Sequence, residues 1–413
     1  MKLDYGKTAL LGFGFFGVSL IWSVYNSYVP VFLEKDFLLS ATLVGVVMTF
    51  DNIAALFIQP WIGALSDRTR THMGRRMPFV IAGAPVAALA FAAIPFANAL
   101  PLFMLTIIVM LFAMAVFRTP VIALMPDIVP SPLRSKANGM INLMGGVGAI
   151  LAFFVGARLY DMGRPVPFLV FAVVLVIAIA LVFLFIKEPR NYDEPPGQEA
   201  GVLANLRIIL ADHDRSAILI LLAIFAWFVG FNVIETFFTL YGVNVLGVKE
   251  SAASLTLGFL SVTFVLFAVP SGFIATRFGR KPTILVGLAL LAVLLAIVRV
   301  LPPTTQMLSL GAGITVLHVI MMLAGLAWAM ININSLPMVV DIAPQDRIGT
   351  YTGLYYFFST SAAILGPWLG GALTDMMGRD YTMIFTIAPI GMIVAFACML
   401  GVRRGERAET TVQ

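Results

Sequence analysis

Charge is what this chain has least of. Asp, Glu, Lys and Arg make up 11% of its 413 residues, against 60% hydrophobic, whereas a soluble domain carries about 25% charged residues. A water-soluble fold is excluded, because there is too little polar surface to cover a core of that size. The single cysteine, Cys398, rules out an intramolecular disulfide and gives no hint of redox or metal chemistry. His72, His213 and His318 are the only histidines and form no metal-ligand constellation, and His318 reads as a neutral, hydrogen-bonded helix residue. Paired acids of a recognisable hydrolase site are missing, as is any cofactor motif, so an enzyme is the least favoured class. The cluster Gly145-Gly146-x-Gly148 lacks a P-loop lysine and sits in an apolar run, which makes it a place for close helix packing.

Long apolar runs are what the chain has instead. They fall at about 9–32, 40–65, 79–97, 101–123, 138–160 and 166–186, and after a polar stretch at 216–241, 251–275, 283–301, 311–338, 350–374 and 381–401. Each is long enough to cross about 30 Å of hydrocarbon. The expected fold class is therefore an all-α polytopic membrane protein of twelve transmembrane helices. Residues 1–186 form one six-helix bundle, 187–215 a cytoplasmic linker and 216–413 a second bundle with a short tail. Pro337 is a candidate for the true end of the long tenth run. The first run does not read as a cleavable signal peptide, being too long and carrying Trp22, Tyr25 and Asn26.

Basic residues set the orientation. With a cytoplasmic N-terminus, only Lys35, Arg158, Arg164, Lys249, Arg299 and Arg379 of the 26 Lys and Arg fall on the outer side. That bias places both termini in the cytoplasm. The formal charge of +5 is thus a topology signal, not a nucleic-acid surface.

The two halves repeat. Pro126–Gly139, PDIVPSPLRSKANG, has its counterpart in Val340–Gly353, VDIAPQDRIGTYTG, with Asp127, Pro130 and Gly139 recurring as Asp341, Pro344 and Gly353 at an offset of 214. Gly63–Pro78, GALSDRTRTHMGRRMP, is echoed by the shorter Gly272–Pro282, GFIATRFGRKP. Two repeats in register with the topology imply two parallel six-helix units around a pseudo-twofold axis along the membrane normal.

The Gly-x-x-x-Asp-Arg then Gly-Arg-Arg pattern between the second and third runs resembles the signature loop of the major facilitator superfamily. The strings QPWIGALSDRTRTHMGRRMPF, Gln59–Phe79, and RTPVIALMPDIVPSPLRSKANG, Arg118–Gly139, resemble its sucrose-transporter-like branch, close to the glycoside-pentoside-hexuronide cation symporters. That resemblance implies the major facilitator fold and proton-coupled carriage of sucrose, maltose or related glucosides. Two departures matter. Gln59 and Ala55 stand where melibiose-type relatives have cation-binding aspartates, leaving Asp51 as the only second-helix acid, so a proton is expected in place of sodium. Thr276 replaces, in the second half, the acid found at Asp67.

Asp67, Arg68, Arg75, Arg76, Asp127 and Arg134, with Arg277, Arg280 and Asp341 in the second half, are the expected cytoplasmic gate. A charge cluster that pairs only when that side is closed would bias the outward-facing state. The simpler alternative is that the arginines only fix topology and Asp67 neutralises them.

Charges inside hydrocarbon mark pathways and sites. Asp51, Arg118 and Glu235 qualify as proton-coupling residues, with Asp127 an alternative partner for Arg118 and no direct Asp51–Arg118 salt bridge expected. Phe228, Asn232, Glu235 and Thr239 share one helical face, so Glu235 can serve sugar hydroxyls or a proton. Sugar recognition needs hydroxyl-matching polar groups and flat apolar faces. Trp22, Tyr25, Asn26, Asn142, Asn232, Glu235, Trp328, Asn332 and Tyr355 supply them. In the resembled fold helices 1, 4, 7 and 10 line the cavity, which favours Trp22, Asn26, Asn232 and Asn332.

The leading expectation is a proton-coupled importer of a disaccharide or related glycoside in the plasma membrane, needing no cofactor beyond the proton. Its partners are the sugar and membrane lipid, with no nucleic acid and no obligatory protein partner, and a monomer suffices. An uncoupled sugar facilitator, a proton-driven exporter of hydrophobic compounds and a non-transporting sugar sensor are the alternatives.

Overall fold

A computed structural model describes residues 4–130, 133–188, 215–344 and 347–405. Most of the expected linker lies outside the described residues, as does His213. The chain is built of helices: α1 Tyr5–Lys35, α2 Ala41–Met48, α3 Phe50–Arg68, α4 Met77–Ala93, α5 Leu100–Ile128, α6 Arg134–Met162 and α7 Val166–Phe185. The second half contains α8 Ser216–Asn244, α9 Glu250–Phe278, α10 Arg280–Val300, α11 Val316–Ile342, α12 Ile348–Met376 and α13 Ile384–Gly401. Taking α2 and α3 as one span, eleven of the described spans are long and apolar enough to cross a membrane. Helix α12 is as long as its neighbours but is not among them, its Gly, Ser, Thr and Tyr residues lowering its hydropathy. The protein is an all-α polytopic membrane protein.

Three run boundaries differ from the sequence expectation. The second run breaks at Thr49, between α2 and α3. The tenth run starts later than 311, because residues 309–315 form a small antiparallel hairpin, Ser309–Gly311 with Ile314–Thr315. Pro337 does not end α11, which continues to Ile342. His318 caps that helix, its Nδ1 accepting from the Thr315 backbone N–H at 3.0 Å.

The helices divide into two compact units. The first holds Met1–Leu39, Phe50–Pro196 and Glu250–Gly258; the second holds Ser40–Thr49, Gly197–Lys249 and Phe259–Gln413. In the first, α1 packs on α6 and α7, and α4 on α5 and α7. The second repeats this scheme: α8 packs on α12 and α13, and α10 on α11 and α13. The sequence repeat is thus a repeat of helix packing.

Small residues permit these contacts. A Cβ on Gly148 of α6 would sit 2.4 Å from the Phe16 carbonyl oxygen of α1, so the two backbones touch as the glycine cluster suggested. In the second unit α2 docks on α12 and takes its N-terminal hydrogen bonds from that helix. The Asp375 carboxylate accepts from Ala41 N at 3.0 Å and Thr42 N at 2.8 Å, while Ser40 Oγ accepts from Leu43 N at 3.3 Å. Three of the four orphan donors of α2 are satisfied in this way.

Candidate functional site

One end of the first unit carries the charge cluster. Arg75 and Arg76 close the loop between α3 and α4 and face Asp127 near the end of α5. Arg75 donates to both Asp127 oxygens, at 2.5 and 3.2 Å, and Arg76 Nε to Oδ2 at 3.1 Å. Asp67 at the end of α3 pairs with Arg76 and lies 3.9 Å from Arg75. Arg76 also donates to Ser66 Oγ at 2.5 Å.

A third acid, absent from the sequence expectation, completes the cluster. Glu188, just past α7, is buried and accepts from the backbone N–H groups of Arg75, Arg76 and Met77 at 2.9 to 3.2 Å. It caps α4, where a carboxylate meets both free N–H groups and the positive helix end. Gly74 makes the approach possible: it has φ +110°, and a Cβ there would fall 2.3 Å from a Glu188 oxygen. Burial works against the charge on Arg75, but its hydrogen bonds to Asp127, then the charges of Asp127, Asp67 and Glu188, outweigh it and raise its pKa above the ordinary value.

The matching end of the second unit is simpler. Arg280 pairs with Asp341 and donates to the Pro337 carbonyl at 2.9 Å. Lys281 reaches the end of α13, donating to Leu400 O at 3.1 Å and Val402 O at 2.6 Å. Arg277 lies 5.4 Å from the Phe278 ring. In the first unit Arg134 bonds the backbone carbonyls of Pro126 and Val129, and Arg68 is exposed at the end of α3.

Within the first unit, Trp22 and Tyr25 of α1, Asp51 of α3 and Arg118 of α5 are the candidates for the central site. Asp51 lies in the first turn of α3, where it accepts from Asn52 Nδ2 at 2.8 Å. Its charge acts on both Arg118 of α5 and Tyr25 of α1. Helix α3, which carries Asp51, packs on α5, which carries Arg118, while Asp127 is engaged by Arg75 and Arg76. Trp22 and Tyr25 meet edge to face, with ring centroids 5.5 Å apart. Tyr25 is 1% exposed, and its hydroxyl, like Trp22 Nε1 and Thr119 Oγ1, is buried with no hydrogen-bond partner among the described residues. Such orphans are costly, roughly 1–3 kcal/mol each. Asn26 is half-buried on the same helix, whereas Asn142 of α6 is exposed and donates to its own helix at Asn138 O, 2.9 Å.

The second unit gathers aromatic groups. Trp328 of α11 lies flat against Phe231 of α8, at 3.9 Å and 3°, and meets Phe228 edge-on at 5.5 Å. Phe231 was not singled out in the sequence, although at i+3 from Phe228 and i−4 from Glu235 it shares their helical face. Trp328 is buried at 5% exposure, so its ring is a wall as much as a platform. Asn232 donates to Phe228 O at 2.7 Å, and Glu235 and Asn332 are half-buried nearby in sequence. Ser335 Oγ bonds Asn332 O at 2.8 Å and lies 3.2 Å from the buried Tyr355 hydroxyl, which ties α11 to α12. Among the described residues no group of three or more His, Cys, Asp or Glu can hold a metal ion.

The chain matches the model described as Major Facilitator Superfamily over residues 11–367 and 246–413. It is 22% identical to the tetracycline resistance protein, class B, of Escherichia coli, over 86% of this chain and 84% of that protein. With the hexuronate transporter of Bacillus subtilis it shares 25% identity over 90% and 88% of the two chains. The crystal structure of a point mutant of the nucleoside transporter NupG superposes with a TM-score of 0.78 at 16% identity, covering 96% of this chain and all of that one.

Proposed function

The chain belongs to the major facilitator superfamily and is a secondary transporter, and from that premise we propose that it imports a disaccharide or related glycoside together with a proton. The observation that carries this reading is the Asp51–Arg118–Tyr25 cluster inside the first unit. An acid and an arginine in membrane-spanning helices are expensive to maintain, and such groups usually serve an ion or substrate pathway. The Tyr25 hydroxyl and Trp22 Nε1 have no partner among the described residues. A ligand with many hydroxyl groups can satisfy both. In the second unit Asn232, Glu235 and Asn332 offer further polar contacts beside the Trp328–Phe231 stack.

Asp51 is assigned the proton and Arg118 the competing positive charge. When Asp51 is ionised, Arg118 balances it; when a proton arrives, Arg118 is released to other acceptors. Glu235 is assigned to sugar hydroxyls, with a share in coupling. For import, sugar and proton must favour a common occluded state, which is a positive coupling free energy. The Arg75–Arg76–Asp67–Asp127 cluster is assigned to the cytoplasmic gate, and both termini to the cytoplasmic side of the plasma membrane. The sucrose-transporter-like strings at 59–79 and 118–139 support the glycoside class.

A second reading, proton-driven export of hydrophobic compounds, is favoured by the match to a tetracycline resistance protein. Uptake into proteoliposomes separates the readings. Sucrose, maltose, trehalose and a hexuronate are offered with and without an inward proton gradient. Accumulation of one of the neutral disaccharides that collapses with uncoupler is the expected result; equilibration alone would indicate a facilitator. No movement of any sugar by folded protein would overturn the proposal and put export first.

A further inference from the structure

The chain does not trail away after α13. Its next four residues, Val402–Gly405, engage three other helices of the second unit. Lys281, the second residue of α10, donates from Nζ to Leu400 O at 3.1 Å and to Val402 O at 2.6 Å. The Ser216 hydroxyl, buried at the first residue of α8, accepts from the Arg403 N–H at 2.9 Å and the Arg404 N–H at 3.3 Å. Gly405 has φ +98°, and a Cβ there would lie 2.8 Å from Ile342 Cγ1 and 3.1 Å from Met338 Cγ, at the end of α11. Val402 itself is fully buried.

Capping explains only the first of these contacts. A lysine that reaches the last carbonyls of a helix satisfies acceptors the helix leaves open, and that task is complete at Val402. The Ser216 bonds and the Gly405 seat lie beyond it. The offset of 214 that relates Asp127 to Asp341 also relates Glu188 to Val402. In both units the chain leaving the last helix accepts hydrogen bonds from the start of the helix after the basic loop, α4 or α10. Side chain and backbone change places: a carboxylate takes backbone N–H groups in the first unit, and a lysine takes backbone carbonyls in the second. In the first unit this staple holds the arginines that face Asp127. In the second, the strap holds Lys281, next to Arg280, and Ile342, next to Asp341. The Arg280 and Asp341 side chains are 24% and 30% exposed, and an ion pair that open is too weak to fix two helix ends by itself. We propose that the strap Val402–Gly405 is a working part of the cytoplasmic gate in the second unit, with Lys281 and Ser216 as positioning residues that hold Arg280 against Asp341. This rests on reading the Arg–Asp clusters of the two units as that gate.

The test uses the full chain in liposomes with Cys398→Ser, and nitroxide labels on Thr69→Cys and Thr276→Cys, exposed positions at the ends of α3 and α9 whose hydroxyls bond their own helices. Pulsed electron–electron resonance reads the distribution of label distances without any substrate, and thermal unfolding is followed in parallel. Lys281→Met and Ser216→Ala should each raise the ratio of long to short distances roughly threefold, as should Asp341→Asn. Either strap variant combined with Asp341→Asn should raise it no further. Lys281→Arg, which can still donate to both carbonyls, should keep the native ratio. If Lys281→Met does not fold, Ser216→Ala carries the test, since it leaves α10 untouched. A lower unfolding midpoint with an unchanged distance distribution would make the strap a cap alone and overturn the proposal. So would shifts that add to that of Asp341→Asn, because the strap would then act other than through the pair. A distribution that Asp341→Asn itself leaves unmoved would sink the gate reading and the proposal with it, whereas one moved by Asp341→Asn but by neither strap variant would sink the strap alone.

Discussion

Replacing Glu188 by glutamine removes a charge and one acceptor without changing shape, which isolates the contribution of this acid. In the native protein Oε1 receives Arg75 N at 2.9 Å, and Oε2 receives Arg76 N at 2.9 Å and Met77 N at 3.2 Å. A glutamine oxygen can keep one side of this arrangement. The amide NH₂ then faces backbone N–H groups on the other, leaving buried donors opposed to donors. Each charge-assisted bond contributes about 1.5–3 kcal/mol and an unmet buried donor costs about 1–3. Loss of a negative charge at the α4 N-terminus adds roughly 0.3–1 kcal/mol. Against this, the cluster has three acids for two arginines, so the mutation relieves some carboxylate repulsion. We expect a net loss of about 2–4 kcal/mol. For a unit of this size that lowers the midpoint of thermal unfolding in detergent by roughly 5–10 °C. Glu188→Asp, one methylene shorter, should fall between the two. A Glu188→Gln midpoint within about 1 °C of wild type would refute the capping argument and leave Glu188 a bystander.

Gly74→Ala should resemble Glu188→Gln in thermal unfolding, because an alanine at φ +110° is strained and its Cβ collides with the same carboxylate; a strained backbone site costs about 1–3 kcal/mol, and an unchanged midpoint would count against the close approach. Asp51→Asn should abolish gradient-driven accumulation while counterflow of the same sugar across the membrane persists; if accumulation survives, the proton is carried elsewhere and Glu235 becomes the candidate. Phe231→Ala should raise the KM for uptake several-fold by letting Trp328 turn, with Phe231→Tyr restoring it; a fall in kcat at constant KM would show that the stack serves the transport cycle and not the substrate.

The electrostatics of the two units differ in kind, and this bears on what each can contribute to coupling. The first unit holds Asp51 and Arg118 in adjacent helices, with the buried Tyr25 hydroxyl and Trp22 Nε1 lacking partners among the described residues. Its energy therefore depends on whether Asp51 is charged and whether a ligand supplies acceptors. Among the second unit's candidates for the central site only Glu235 is an acid, and the aromatic stack around Trp328 is insensitive to protonation. On the import reading the proton is sensed in the first unit, and sugar shape in the second. Asp51→Asn and Phe231→Ala should then separate coupling from recognition.

Helix placement was legible in the sequence because a hydrocarbon slab imposes a length and a composition that short windows report. The packing repeat was legible too, since Asp127 and Asp341 mark the same turn in each unit. What was lost were features made by approach between distant segments. Glu188 follows the last apolar residues of α7 as one polar residue in a polar stretch; its role exists only because Gly74, far off in sequence, leaves a gap for its carboxylate. The break at Thr49 was hidden for the related reason that hydropathy runs unbroken from α2 into α3. The N-terminus of α2 is held by Asp375, a partner no window could include.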